Sequence, residues 1–130
     1  MEQADVRVVV VEDNRDNLAL MLALLAHRYE AIPCDDPARA LDVIRAHRPH
    51  LVLLDIGLPK VAGPRILDFL RRSASVADTP VVAVTADVHP DSEQHWLHRG
   101  FDGYVAKPIV DKTLLWATID ALARTPAHLP

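Results

Sequence analysis

The sequence has a single cysteine, only six aromatic residues (two each of Trp, Tyr and Phe) and no cluster of Lys or Arg. One thiol, Cys34, excludes an internal disulfide framework and suits a reducing compartment. With 14 Lys+Arg against 18 Asp+Glu, the formal net charge is −4. That balance argues against nucleic acid as the main partner, because phosphate contacts need clustered cations. The first residues, Met1-Glu2-Gln3-Ala4-Asp5, offer neither the cationic region nor the apolar core of a secretory signal. The longest unbroken apolar run covers residues 18–26, far short of the ~20 residues that cross a bilayer. What remains is a chain of 130 residues, half apolar and a quarter charged. It is too hydrophobic for intrinsic disorder and long enough for one domain that buries roughly two thirds of its unfolded surface. A soluble cytoplasmic domain, with no membrane and no nucleic acid as partner, is the expectation.

Residues 6–11, 51–54, 81–84 and 104–106 are nearly continuous apolar runs. Continuous rather than alternating hydrophobicity is what a strand needs when helices cover both of its faces. Between them, Leu18, Met21, Leu22 and Leu25 repeat at helical spacing, as do Ala40, Leu41 and Ile44, then Ile66, Leu67 and Leu70, and last Leu115, Ile119 and Leu122. Pro37, Pro64 and Pro90 stand where helices would begin. A fifth strand is expected at residues 30–34, where Pro33 confines it to a sheet edge. The pattern predicts an α/β fold: a (βα)5 flavodoxin-like open parallel sheet, strand order 2-1-3-4-5, with helices on both faces. The domain is expected over residues 1–124, with residues 125–130 as a disordered tail or linker remnant.

Ligands of such sheets bind beyond the carboxyl ends of the strands, where the strand order reverses. The expected strand ends run into Glu12-Asp13-Asn14, Asp55, Thr85 and Lys107-Pro108. An acid after a strand is often just a turn or cap residue. Three acids, a hydroxyl and an amine converging on one sheet edge are harder to produce by chance. Two unit charges ~4 Å apart repel by about 4 kcal/mol at an effective dielectric of 20. Such a cluster calls for a divalent cation, a raised pKa or a nearby Lys. Oxygen ligands without Cys or His favour a hard ion, Mg2+ before Ca2+. Thr85 and Lys107 are donors that suit a doubly charged anion such as a phosphoryl group, towards which one carboxylate can act as nucleophile.

The set Glu12-Asp13-Asn14, Asp55 within Leu-Leu-Asp-Ile-Gly-Leu-Pro, Val-Thr-Ala at 84–86 and Tyr-Val-Ala-Lys-Pro at 104–108 resembles the receiver domain of two-component response regulators. The likeness runs from residue 6 to about 124. It implies that Asp55 accepts a phosphoryl group from a phosphohistidine of a histidine kinase or histidine phosphotransfer protein. It also implies Mg2+ held by Glu12, Asp13, Asp55 and the main-chain carbonyl of Gly57, with Thr85 and Lys107 on the phosphoryl oxygens. Tyr104 would switch rotamers, Pro108 would follow a cis peptide bond, and Gly63 matches the family's glycine at the start of the third helix. Signalling would pass through the face formed by the last strand and the two helices flanking it in sequence (the α4–β5–α5 face of the family) to a downstream protein target. The domain would be no enzyme beyond catalysing its own phosphorylation and dephosphorylation, and would be a monomer or weak dimer. Gly57 and Asp87 occupy positions that in the family affect access of water to the acyl phosphate. The expectation is that Gly57 leaves the phosphoryl group uncovered while Asp87 repels or redirects water.

Trp96 departs from the family pattern, which favours a small residue four before Gly100. With Trp116 and Tyr104 it either marks a partner surface or simply fills the groove beside the sheet; the second reading of Trp96 is preferred. His89, His95 and His98 are expected to face solvent, Cys34 to be a small packed residue, and Asn14 and Asp16 to cap the first helix. An FMN-binding flavodoxin would need a first loop rich in Ser, Thr and Gly, and Glu12-Asp13 has the wrong charge. A haloacid-dehalogenase-type phosphatase needs a second aspartate two residues after the first, where this chain has Gly57. A phosphorylation-independent interaction domain of receiver shape is the remaining alternative. The retained acid–Thr–Lys set speaks against it. The expectation is a receiver without an output domain after the last helix, either a stand-alone regulator, which Met1 slightly favours, or a receiver belonging with a hybrid kinase.

Overall fold

The computed structural model describes residues 5–57, 62–86, 90–109 and 111–124. The apolar runs form five strands: β1 (Arg7–Val11), β2 (Glu30–Cys34), β3 (Leu51–Asp55), β4 (Val81–Thr85) and β5 (Gly103–Ala106). Between and after them lie α1 (Arg15–Leu25), α2 (Ala40–His47), α3 (Ala62–Arg71), α4 (Ser92–Arg99) and α5 (Lys112–Leu122). The strands are parallel and ordered β2-β1-β3-β4-β5, so β2 with its Pro33 is an edge, as its sequence demanded.

The three inner strands, β1, β3 and β4, bury both of their faces, whereas the edge strands β2 and β5 are partly exposed. Val9, Val11, Val52, Leu54, Val81 and Ala83 pack with Ile44, Ile66, Leu67, Leu70 and Phe101 on the side of α2, α3 and α4. Val8, Val10, Leu51, Leu53, Val82 and Val84 pack with Leu18, Met21, Leu25, Leu115 and Ile119 on the side of α1 and α5. Unbroken runs of β-branched residues are therefore read twice, once by each helical layer.

The strand limits differ from the sequence expectation in an instructive way. β3 and β4 each extend one residue, taking in Asp55 and Thr85. β1 starts at Arg7, while Val6 stays buried and its carbonyl accepts the Glu30 N–H. β5 begins at Gly103, a residue that strand propensity penalises. A Cβ there would lie 2.7 Å from Leu122 Cδ1 and 3.3 Å from Val82 Cγ2, so any larger residue would displace the Leu122 side chain and crowd Val82. Pro37 opens a short 3-10 turn (Pro37–Arg39) ahead of α2, Pro64 is the third residue of α3, and Pro90 precedes α4 by two. Asn14 caps α1, its side chain accepting the Asn17 N–H at 3.0 Å, and Asp16 sits in that first turn. Cys34 is buried.

At the amino end of the sheet, His50 Nδ1 accepts the Arg7 N–H at 3.0 Å. Arg71 donates to the carbonyls of Ala77 (3.1 Å) and Thr79 (2.6 Å) and to Asp102 Oδ2 (2.6 Å), which also accepts the Val81 N–H. Along the α1–α5 seam, Tyr29 Oη donates to Asp120 Oδ1 (2.6 Å) and Arg28 to Asp120 Oδ2 (2.8 Å). Burial and then the Asp120 carboxylate push the Tyr29 pKa up to about 12. Among the described residues, no helix is long and apolar enough to cross a membrane. The tail expected at residues 125–130 lies outside the described residues, as do Asp87 and His89.

Candidate functional site

The carboxyl ends of β1, β3, β4 and β5 meet at one edge because the register holds them level: Val11 stands beside Leu54, Asp55 beside Val84 and Thr85 beside Ala106. The backbone pairing continues past the strand ends. The Glu12 N–H donates to the Cys34 carbonyl (3.0 Å), Ile56 to Val84 (2.9 Å) and Lys107 to Thr85 (2.8 Å). The polar residues thus leave the sheet from fixed backbone, which limits how far they can drift apart.

Glu12 is 2% exposed and Asp55 7%, whereas Asp13 faces solvent. One carboxylate oxygen from each lies within 4.8 Å of the others. Lys107 Nζ closes the cluster, 2.8 Å from Glu12 Oε1 and 3.1 Å from Asp55 Oδ1. The Gly57 N–H donates to the same Asp55 Oδ1 at 2.9 Å, and the Asn14 N–H reaches Glu12 Oε2 at 3.4 Å. Burial raises the Glu12 pKa, the neighbouring Asp55 adds to this, and Lys107 opposes it. For Lys107, burial acts to lower the pKa, but the bonds to Glu12 and Asp55 outweigh it and the value rises. The ammonium therefore stays charged between two carboxylates, and the cluster holds three acids against one cation. An oxygen-only donor set with surplus negative charge fits a hard dication.

Thr85 is buried at the end of β4. Tyr104 is half-buried on β5 and lines a cleft of about 230 Å3 with Pro108, Ile109, Leu114 and Leu115. The Lys107–Pro108 peptide bond is cis. Gly63 lies in the first turn of α3, where a Cβ would sit 3.4 Å from the Asp55 carbonyl oxygen and from Ile56 Cα.

The family described as "Response regulator receiver domain" matches residues 8–119. The chain belongs to that family. As a receiver domain it is a signalling module of two-component systems. It is 39% identical over 103 residues to the polar-differentiation response regulator DivK of Brucella anthropi, spanning 78% of this chain and 84% of that protein. Among solved structures, a response regulator from Desulfuromonas acetoxidans is similar at TM-score 0.80 and 26% identity, covering 90% of this chain and 95% of that one. The BeF3-activated N-terminal receiver domain of Klebsiella pneumoniae RstA matches at TM-score 0.79 and 28% identity, over 92% of this chain and 99% of that one.

Within this receiver domain, Glu12, Asp13, Asp55, Gly57 and Lys107 come together, with Thr85 ending β4, the strand between β3 with Asp55 and β5 with Tyr104. The two tryptophans lie apart from them. Trp96 packs edge-on against Phe101 (5.8 Å between ring centroids) and against the α2–α3–α4 core, filling the groove beside the sheet. Trp116 is turned to α1: its Nε1–H donates to the Leu24 carbonyl (3.0 Å), and Arg28 stacks 5.0 Å from its ring. It therefore takes part in the α1–α5 seam. The Gly57 N–H as a ligand of Asp55 was not anticipated. A glycine two residues after an Asp is the signal that could have found it, because Asp side chains turn back to the backbone two residues on.

Proposed function

We propose that Asp55 is the phosphoacceptor, taking a phosphoryl group from the phosphohistidine of a histidine kinase or histidine phosphotransfer protein. The observation that carries this reading is Lys107 Nζ held between Glu12 and Asp55 at the mouth of a three-carboxylate cluster. Gly57 N–H and Lys107 both address Oδ1 of Asp55, which leaves Oδ2 to attack phosphorus. The new O–P bond forms as the P–N bond of the donor imidazole breaks, the electron pair leaving with that nitrogen. Glu12, Asp13 and Asp55, with the Gly57 carbonyl, would hold Mg2+, which when bound supplies positive charge for the phosphoryl oxygens. Lys107 supplies the second cation, and Thr85 binds a phosphoryl oxygen.

Phosphorylation adds charge and three acceptor oxygens at the end of β3. Thr85 moves towards them and Tyr104 fills the space behind, so the α4–β5–α5 face presents a different shape to a protein target. Gly57 and Asp87 set the exposure of the acyl phosphate to water. The domain works in the cytoplasm as a monomer or weak dimer and catalyses only its own phosphorylation and dephosphorylation. Intact-mass measurement after incubation with Mg2+ and acetyl phosphate tests the reading. One phosphate on the native chain and none on Asp55→Asn is expected; equal labelling of both would overturn it, and no labelling of either would favour a phosphorylation-independent interaction domain.

A further inference from the structure

We infer that the cleft between α2 and α3 is a docking groove for an acidic amphipathic helix of a partner protein. The inference is independent of the phosphoacceptor reading. The cleft, about 630 Å3, is lined by Pro37, Ala38, Leu41, Ile66 and Phe69, with Asp42 and Arg65. Phe69 is 48% exposed, although the residues on either side of it in the helical turn, Ile66 and Leu70, are buried. A large aromatic left half in water at the wall of an apolar groove is the anchor type that interfaces use.

Charge identifies the occupant. Arg65 and Phe69 stand at i and i+4 on α3, Arg72 follows its last residue at i+7, and Leu41 and Arg45 stand at i and i+4 on α2; of these arginines Arg65 lines the cleft. Elsewhere arginines face aspartates: Arg28 with Asp120, Arg71 with Asp102, Arg99 with Asp68. Arg45, Arg65 and Arg72 are exposed and form no ion pair with another described residue, while Asp42 is the one acid lining the cleft. A chain of net charge −4 thus sets three exposed arginines, without ion pairs among the described residues, on and beside the two helices that wall this groove, against the single Asp42 in its lining. A helix with apolar side chains at i, i+3, i+4 and i+7 and carboxylates flanking them complements both properties.

The test uses a synthetic helical peptide with Leu at that spacing and Glu at its other positions, and a counterpart with Lys in place of Glu, each titrated into the full ¹⁵N-labelled chain. The Glu peptide is expected to shift amide resonances of residues 37–45 and 65–72 and to bind about tenfold more tightly than the Lys peptide. Arg65→Glu combined with Arg72→Glu should invert that preference, and Phe69→Ala should weaken both peptides while leaving phosphorylation by acetyl phosphate unchanged. Equal binding of the two peptides, shifts centred on Leu20 or Leu114 instead, or no binding would overturn the inference. So would a dimer in sedimentation that Phe69→Ala abolishes, since the occupant would then be a second copy. The arginine reversals stand at exposed positions and keep the test valid should Phe69→Ala fail to fold.

Discussion

The two ends of the sheet treat charge in opposite ways. At the amino end, Arg71 finds two carbonyls and Asp102, Asp102 finds a backbone N–H as well, and His50 accepts from the main chain of Arg7. At the carboxyl end, Glu12, Asp13 and Asp55 crowd round a single ammonium. One end is built from complements and supports the fold. The other concentrates like charge, which works against folding and creates a place for a cation and an anion. Stability and binding thus draw on opposite edges of the same five strands.

Removing charge should therefore have opposite signs at the two ends. The largest effect is expected for Arg71→Ala, which breaks three charge-assisted bonds joining α3, the α3–β4 connection and the start of β5. A loss of about 2–3 kcal/mol, read as a melting temperature lower by roughly 10 °C, is the expected outcome. Asp13→Asn should do the reverse in metal-free buffer, raising stability by about 1 kcal/mol because the repulsion is relieved at an exposed member of the cluster. Adding Mg2+ should raise the melting temperature of the native chain more than that of Asp13→Asn, narrowing the gap. A destabilised Asp13→Asn without metal would contradict the contrast between the ends.

The smallest effect concerns His50. Burial first, then the charge of Arg7, lowers its pKa below the ordinary value of 6.5. Below that pH the unfolded chain takes up a proton that the folded chain resists, so stability falls as pH drops and is unaffected above it. His50→Asn keeps an acceptor for the Arg7 N–H, and chemical denaturation between about pH 5 and 7 should show a flatter pH profile for the variant. An unchanged profile would mean that His50 binds its proton equally well in the folded and unfolded states.

The sheet was legible because its signal is local: runs such as Val8–Val9–Val10–Val11 need two covered faces, and Pro33 can sit only at an edge. The acids at strand ends were legible for the same reason, since a strand that stops at Asp55 must present it at the sheet's edge. What pairs with what was not. Lys107 and Glu12 are 95 positions apart, and the order of strands says they share an edge without saying that one nitrogen bridges two carboxylates. Arg71 was invisible because its main partners are carbonyls, which carry no residue identity. Phe69 was passed over because the Ile66, Leu67 and Leu70 stripe already satisfied the buried face, and its exposure comes only with the gap between α2 and α3. Trp116 could be placed on α5 but not turned towards α1, because the direction follows from a carbonyl of Leu24.

The sheet also acts as a septum between two dry compartments that share no side chain, only the peptide backbone that both hang from. A displacement of β4 by a fraction of an ångström would tug Val81 and Ala83 on one side and Val82 and Val84 on the other in the same instant. Neither helical layer can be insulated from an event at the tip of a strand.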